Sequence, residues 1–317
     1  MAKSVALVLG SGGARGYTHI GVIEELVARG YEIKAVAGCS MGALVGGLYV
    51  AGKLDQYRDW VRELNYLDVI RLLDLSFRSP GVIQGGRVFE VIGEMIGDVR
   101  IENLPTPFTA VATDIAARKE VWFQDGDLMQ AIRASIAIPT LFTPVEHNGR
   151  LLIDGGVLNP LPIAATVSAH ADLIIAVDLN TDVAPMNVAC EAPVQENRQQ
   201  KVLHRWLGKL NFLSKKYAKG EGSDEAATVK MGMLDLFNQS LEVMQESLAR
   251  YKMAGYAPDI LIPVSRNQCR FYEFNRADEM IQVGRLVTGQ VIDKWEEEQA
   301  TLAEQRASDP GEQRRAG

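Results

Sequence analysis

The residues most able to do chemistry in this chain sit in three clusters of small side chains. Gly38-Cys39-Ser40-Met41-Gly42 matches G-x-S-x-G. A serine at the apex of a strand-to-helix turn is an exposed nucleophile. Small neighbours let strand and helix approach, and the helix N-terminus turns free amides toward a developing negative charge. The competing reading is a plain tight turn whose serine caps the helix. The apolar strand before Ser40 and the alanine- and leucine-bearing helix after it favour the nucleophile. Cys39, at the strand end rather than the apex, reads as a small buried hydrophobe.

Gly10-Ser11-Gly12-Gly13-Ala14-Arg15-Gly16 is the second cluster. As a G-x-G-x-x-G dinucleotide fingerprint it fails, because Arg15 occupies the third-glycine position. No lysine follows Gly16, so it is not a phosphate-binding P-loop either. It reads instead as an anion cradle in which the amides of Gly12, Gly13 and Ala14 face a transient oxyanion and Arg15 pins the loop. The third cluster is Asp154-Gly155-Gly156, a carboxylate at the end of a short strand, where α/β sites are built but where Asp-Gly pairs also simply turn the chain. A serine nucleophile usually takes its base from histidine. Of the four here, His170 and His204 alone follow Asp154, the former at a helix end and the latter in a polar-basic stretch, while His19, in a helix, and His147, in the hairpin turn, read as surface or helix-face residues. A histidine triad is therefore disfavoured.

The elements that must hold these clusters follow from periodicity. Residues 4–9 (SVALVL) form a continuous apolar run typical of a buried parallel strand. Helix 17–29, strand 33–37 and helix 41–50 complete a β-α-β-α opening, which calls for a parallel sheet covered by helices. Further strands are expected at 108–113, 120–123, 151–153, 173–177 and 260–263, and helices at 55–63, 86–96, 127–135, 160–168 and about 224–253. Asn148-Gly149 marks a hairpin turn. The expected division is a catalytic core over 1–185, a polar and basic excursion over 186–223, a helical part over 224–300 that completes the same domain, and a disordered tail over 301–317.

Composition excludes several classes. With 33 basic against 40 acidic residues among 317, the net charge of −7 argues against a nucleic-acid binder. Cys39, Cys190 and Cys269 are isolated, so neither a disulfide framework nor a zinc site is expected. The N-terminal apolar run is too short for a signal peptide and no run of about 20 apolar residues appears, which points to a cytoplasmic protein.

S-G-G-A-R-G, G-C-S-M-G and D-G-G stand in the order and setting of the patatin-like phospholipases. The chain resembles the single-domain bacterial members over roughly residues 3–180, including Ala112-Thr113-Asp114, Arg133-Ala134-Ser135 and Ile138-Pro139. The resemblance implies a three-layer α/β/α fold with a mostly parallel central sheet. It also implies hydrolysis of carboxylic esters of lipids, of the phospholipase A or lysophospholipase kind, through a Ser-Asp dyad. Ser40 is then the nucleophile, Asp154 the base, and the amides of Gly12 and Gly13, with that of Met41, the oxyanion donors; Ser11, Arg15, Gly16, Gly38, Gly42, Gly155 and Gly156 support them. The family motif usually begins with three glycines, whereas Ser11 stands first here. No metal or organic cofactor is implied. The alternatives are a catalytically quiet scaffold of the same fold and an acyltransferase.

Residues 198–219 carry seven basic residues, no acid, and an apolar stripe of Leu203, Trp206, Leu207, Leu210, Leu213 and Tyr217 at helical spacing. Docking on an anionic membrane surface, packing on the protein's own core and contact with a second copy all fit this pattern.

Overall fold

The computed structural model describes residues 3–72, 86–139, 141–188 and 233–308. The chain opens with β1 (Ser4–Leu9), α1 (Thr18–Ala28), β2 (Glu32–Cys39) and α2 (Met41–Val50), the β-α-β-α order that the apolar periodicity predicts. Next come α3 (Leu54–Glu63), α4 (Tyr66–Leu72), α5 (Gly86–Ile96), β3 (Phe108–Asp114), β4 (Lys119–Phe123) and α6 (Leu128–Ser135). The remainder is β5 (Val145–His147), β6 (Arg150–Asp154), β7 (Leu173–Thr181), α7 (Met233–Gly255), β8 (Ile260–Ser265) and α8 (Ala277–Ser308).

The strands make one eight-stranded sheet in the order β5-β6-β3-β2-β1-β7-β8, with β4 on β3. β3, β2, β1, β7 and β8 run parallel, and β4, β5 and β6 join by antiparallel pairing. Strands buried on both faces need apolar residues at every position: Val5 through Leu9 of β1 are all buried. Helices cover the faces, and α1 meets α8 backbone to backbone. A Cβ added at Gly21 would lie 2.0 Å from the Ile281 carbonyl oxygen, and one at Gly284 2.1 Å from that of Thr18.

The pairing along β3 places the site. β4 pairs with Ala110–Asp114, overlapping both the β2 pairing at 108–111 and the β6 pairing at 112–114. Since β4 fills one edge of β3, β2 and β6 must share the other. They run toward each other along it and stop head-on, Cys39 opposite Val111 and Asp154 opposite Ala112.

Some expectations change. Residues 160–168 give a 3₁₀ helix over Ile163–Ala169 instead of an α-helix, because Pro160 and Pro162 cannot donate to a helical ladder. α8 continues to Ser308, through the first part of the segment expected to be disordered. Its end, TLAEQRAS, is rich in good helix formers, residues 301–305 are exposed, and polarity alone does not separate such a helix from a coil. The long helix expected from about 224 is described from Met233, and the basic 198–219 stretch lies outside the described residues.

Candidate active site

Ser40 sits between β2 and α2 with φ 55° and ψ −122°, a left-handed conformation that is costly for a residue with a side chain. Backbone contact enforces it. A Cβ at Gly38 would fall 2.4 Å from the Gly42 carbonyl oxygen, and one at Gly42 would fall 2.0 Å from that of Leu9. Only glycine fits at either position, which is the physical content of the motif. The Ser40 N–H donates to Ser135 Oγ at 2.9 Å, and the Ser135 hydroxyl donates to the Val111 carbonyl at 2.6 Å. Ser135, quoted above only as part of a resembling run, thus ties the elbow to β3. Met41 begins α2, so its N–H has no intrahelical acceptor.

Asp154, 2 % exposed, ends β6 across the gap from Cys39. Its N–H donates to the Ala137 carbonyl at 2.9 Å and its Oδ1 accepts from the Gly156 N–H at 2.7 Å. Oδ2 is buried without a well-formed partner among the described residues. Burial pushes the carboxyl up to about 6, while the Ser40 hydroxyl and the Gly156 amide hold the rise back. The Ser40 hydroxyl and the carboxyl are therefore neighbours. Gly155 is required by closeness: a Cβ there would be 2.1 Å from the Val111 carbonyl oxygen. Cys39 is fully buried and its thiol is pushed well up, first by burial and then by Asp154, which leaves it inert.

The glycine loop is tied at its edges. Gly10 N–H donates to Val177, Ser11 N–H to Pro160 and Ala14 N–H to Phe271, all carbonyls, at 3.1, 2.9 and 2.9 Å. Ala14 is thereby corrected: its amide is already donated and is not free for an oxyanion. The amides of Gly12 and Gly13 enter no such bond among the described residues. Gly16 packs on the elbow, since a Cβ there would lie 2.3 Å from Met41 Cβ. Ser11 needs no left-handed backbone, so the departure from glycine costs no strain.

Arg15 pins the loop as its position suggests. Only 2 % exposed, it donates to the Arg266 carbonyl at 2.6 Å, Asn180 Oδ1 at 3.0 Å and Glu242 Oε1 at 2.6 Å; Asn180 Nδ2 donates to the Ser11 carbonyl at 3.0 Å. His19 is not a surface residue. It is fully buried, its Nε2 lies 2.8 Å from the Gly10 carbonyl oxygen, and burial lowers its pKa to about 4, so it is a neutral strut under the loop. His147 lies in the hairpin, His170 ends a 3₁₀ helix with φ 48°, and His204 is outside the described residues.

An apolar pocket lies against the elbow, walled by Met41, Leu44, Trp60, Phe89, Phe142 and other apolar side chains. Ile136 and Ile138, flanking the carbonyl that receives the Asp154 N–H, also line it. Such an apolar lining suits a hydrocarbon chain better than a polar headgroup.

Residues 7–167 match the family model for patatin-like phospholipases. The chain belongs to this family. Membership implies lipid acyl hydrolase activity. An NTE family protein of Mycobacterium tuberculosis is 39 % identical over 92 % of both chains. Human patatin-like phospholipase domain-containing protein 6 is 34 % identical over 56 % of this chain and 14 % of its own length. VipD from Legionella pneumophila superposes with a TM-score of 0.52 over 92 % of this chain and 67 % of that one; at 16 % identity the likeness concerns the fold alone. Among the described residues no His, Cys, Asp and Glu cluster is arranged for a metal, and no helix is long and apolar enough to cross a membrane.

Proposed function

We propose that this member of the family hydrolyses carboxylic esters of single- or double-chain acyl lipids through a Ser40–Asp154 dyad. The observation that carries the reading is a desolvated Asp154 carboxyl that neighbours the Ser40 hydroxyl and whose Oδ2 has no well-formed partner among the described residues, next to an apolar pocket that Met41 helps to line. Ser40 Oγ attacks the acyl carbonyl carbon while its proton passes to Asp154. The amides of Gly12, Gly13 and Met41 hold the oxyanion, and the leaving alkoxide takes the proton from Asp154 as the ester bond breaks. Water then repeats the sequence on the acyl-enzyme, giving up its proton to Asp154 and releasing the carboxylic acid with Ser40 restored. A carboxylate is a weak base toward a hydroxyl, so raising Asp154 toward 6 narrows the mismatch and the oxyanion donors supply much of the remainder.

Turnover of a p-nitrophenyl ester and of lysophosphatidylcholine, abolished in Ser40→Ala and Asp154→Asn, tests this reading. A folded wild type inert toward both substrates points to a quiet scaffold, and transfer to an added alcohol in preference to water points to an acyltransferase. For residues 198–219, the seven cations favour docking on anionic lipid, each contributing roughly 1 kcal/mol near such a surface. Vesicle co-sedimentation of wild type and a Lys209→Glu, Lys215→Glu, Lys216→Glu variant at low and high salt decides it. Equal sedimentation of the two proteins rules the docking out.

A further inference from the structure

The glycine loop and the Asp154 loop come from opposite ends of the catalytic core, yet a single side chain touches both. Gln245 of α7 is 4 % exposed, and its Oε1 accepts the hydroxyl of Ser11, itself 2 % exposed, at 3.1 Å in a buried bond. The same carboxamide packs on the other loop. A Cβ placed on Gly156 would lie 2.5 Å from Gln245 Nε2, 3.0 Å from Asp154 Oδ1 and 3.1 Å from Ser11 Oγ. Three polar side chains therefore converge on the glycine whose N–H holds Asp154 at 2.7 Å. Three residues earlier on the same face of α7, Glu242 holds Arg15. α7 lies outside residues 7–167 matched by the family model.

We propose that Gln245 and Ser11 form a positioning bridge that fixes the glycine-loop amides relative to the Ser40–Asp154 pair. The proposal rests on the esterase reading above and adds to it residues that touch neither substrate nor reacting atoms. Oxyanion donors act only within a few tenths of an ångström of the right place, and loops held at their edges by backbone bonds can still shift between them. Binding of an acyl chain in the apolar chamber is insensitive to that shift. Loss of the bridge therefore lowers kcat and leaves KM alone.

The test uses the full chain and three variants: Ser11→Ala, Gln245→Met, which keeps volume and removes the polar groups, and the double variant. Each single change is expected to lower kcat on a p-nitrophenyl ester about tenfold, the size of one buried hydrogen bond, with KM within about twofold. The double variant is expected to be no worse than either single one, because both remove the same bond. Labelling of Ser40 by a fluorophosphonate, followed by mass spectrometry, should slow in parallel while circular dichroism and cooperative melting are retained. Losses confined to KM, losses that multiply in the double variant, or unchanged kcat and labelling overturn the bridge while leaving the esterase reading intact. A wild type that labels at Ser40 but does not turn over esters overturns the esterase reading, and the labelling rates of the variants still decide the bridge. A wild type that neither turns over nor labels overturns both.

Discussion

The nucleophile elbow and the glycine loop face each other across one site but are held in opposite ways. The elbow is held mainly by close backbone packing, with one distant hydrogen bond, from the Ser40 N–H to Ser135 Oγ. Gly38, Gly42 and the end of β1 press backbone on backbone, and Ser40 has almost no freedom left. The glycine loop is supported from outside, by Glu242, Gln245, Asn180 and the carbonyls of Arg266 and Phe271, all at least 160 residues further along the chain. A nucleophile needs one strained conformation, which local sterics can impose. An oxyanion cradle needs amides left free while everything around them is tied, and side chains and carbonyls from distant parts of the chain do that while leaving the amides of Gly12 and Gly13 unbonded among the described residues.

The largest effect that would break this contrast is Gly42→Ala. The new Cβ meets immovable backbone at Leu9, so a loss of more than about 3 kcal/mol in urea unfolding is expected. Arg15→Met should cost less, about 2 kcal/mol, and appear chiefly as lost kcat, since it frees the loop and spares the elbow. If the Arg15 variant is the more destabilised of the two, the division of labour is wrong.

Asp154 sharpens the contrast through pH. The proposed dyad requires the carboxylate, so kcat/KM should rise along an acid limb with an apparent pKa near 6 and then level off. The folded-state value lies above the ordinary 3.8, so ionisation penalises the folded protein. The stability this group gives is full below about pH 4 and is lost as pH rises through 6, roughly 3 kcal/mol in all. Asp154→Asn should therefore be inactive yet melt higher than wild type at pH 7, an advantage that vanishes by pH 4. His19 has the opposite sign. Its pKa falls from 6.5 to about 4, so its stabilisation is full above 6.5 and is lost toward pH 4. The two oppose each other over one window, and the asparagine variant should lose stability toward acid more steeply than wild type. Equal slopes would mean that Asp154 is not desolvated as described.

The smallest effect is expected at His170, which follows Asp154 in the chain and holds φ 48°. His170→Gly should leave kcat/KM unchanged and raise stability by about 1 kcal/mol through relief of the left-handed backbone. A large activity loss in this variant would restore a histidine base.

Legibility in the sequence followed the same boundary. The elbow, the opening β-α-β-α unit and the Asn148-Gly149 hairpin were readable because their causes are local: apolar runs, closely spaced glycines, positive φ at a turn. The glycine loop was recognisable as an anion cradle, but which amides stay free was not, because Ala14 is engaged by Phe271, 257 positions away, and nothing near Ala14 signals it. Gln245 and Glu242 sit in a helix whose sequence looks like any amphipathic surface. His19 gave no sign of burial beyond two apolar neighbours at i+3 and i+4, Val22 and Ile23, a signal present but weak.

The head-on meeting of β2 and β6 along β3 makes the juxtaposition of the proposed catalytic pair a matter of counting. Cys39 and Asp154 face adjacent residues of β3, so the two strand ends divide its edge with no residue to spare. A one-residue deletion inside β6 would turn the carboxylate through the sheet to the opposite surface, and a two-residue insertion would restore its facing but carry it about 6.6 Å along the edge. Length changes in these two strands should thus be all-or-none for catalysis. The hairpin turn at Asn148-Gly149, upstream of β6, can absorb insertions without moving Asp154, and variation in chain length within this fold belongs there.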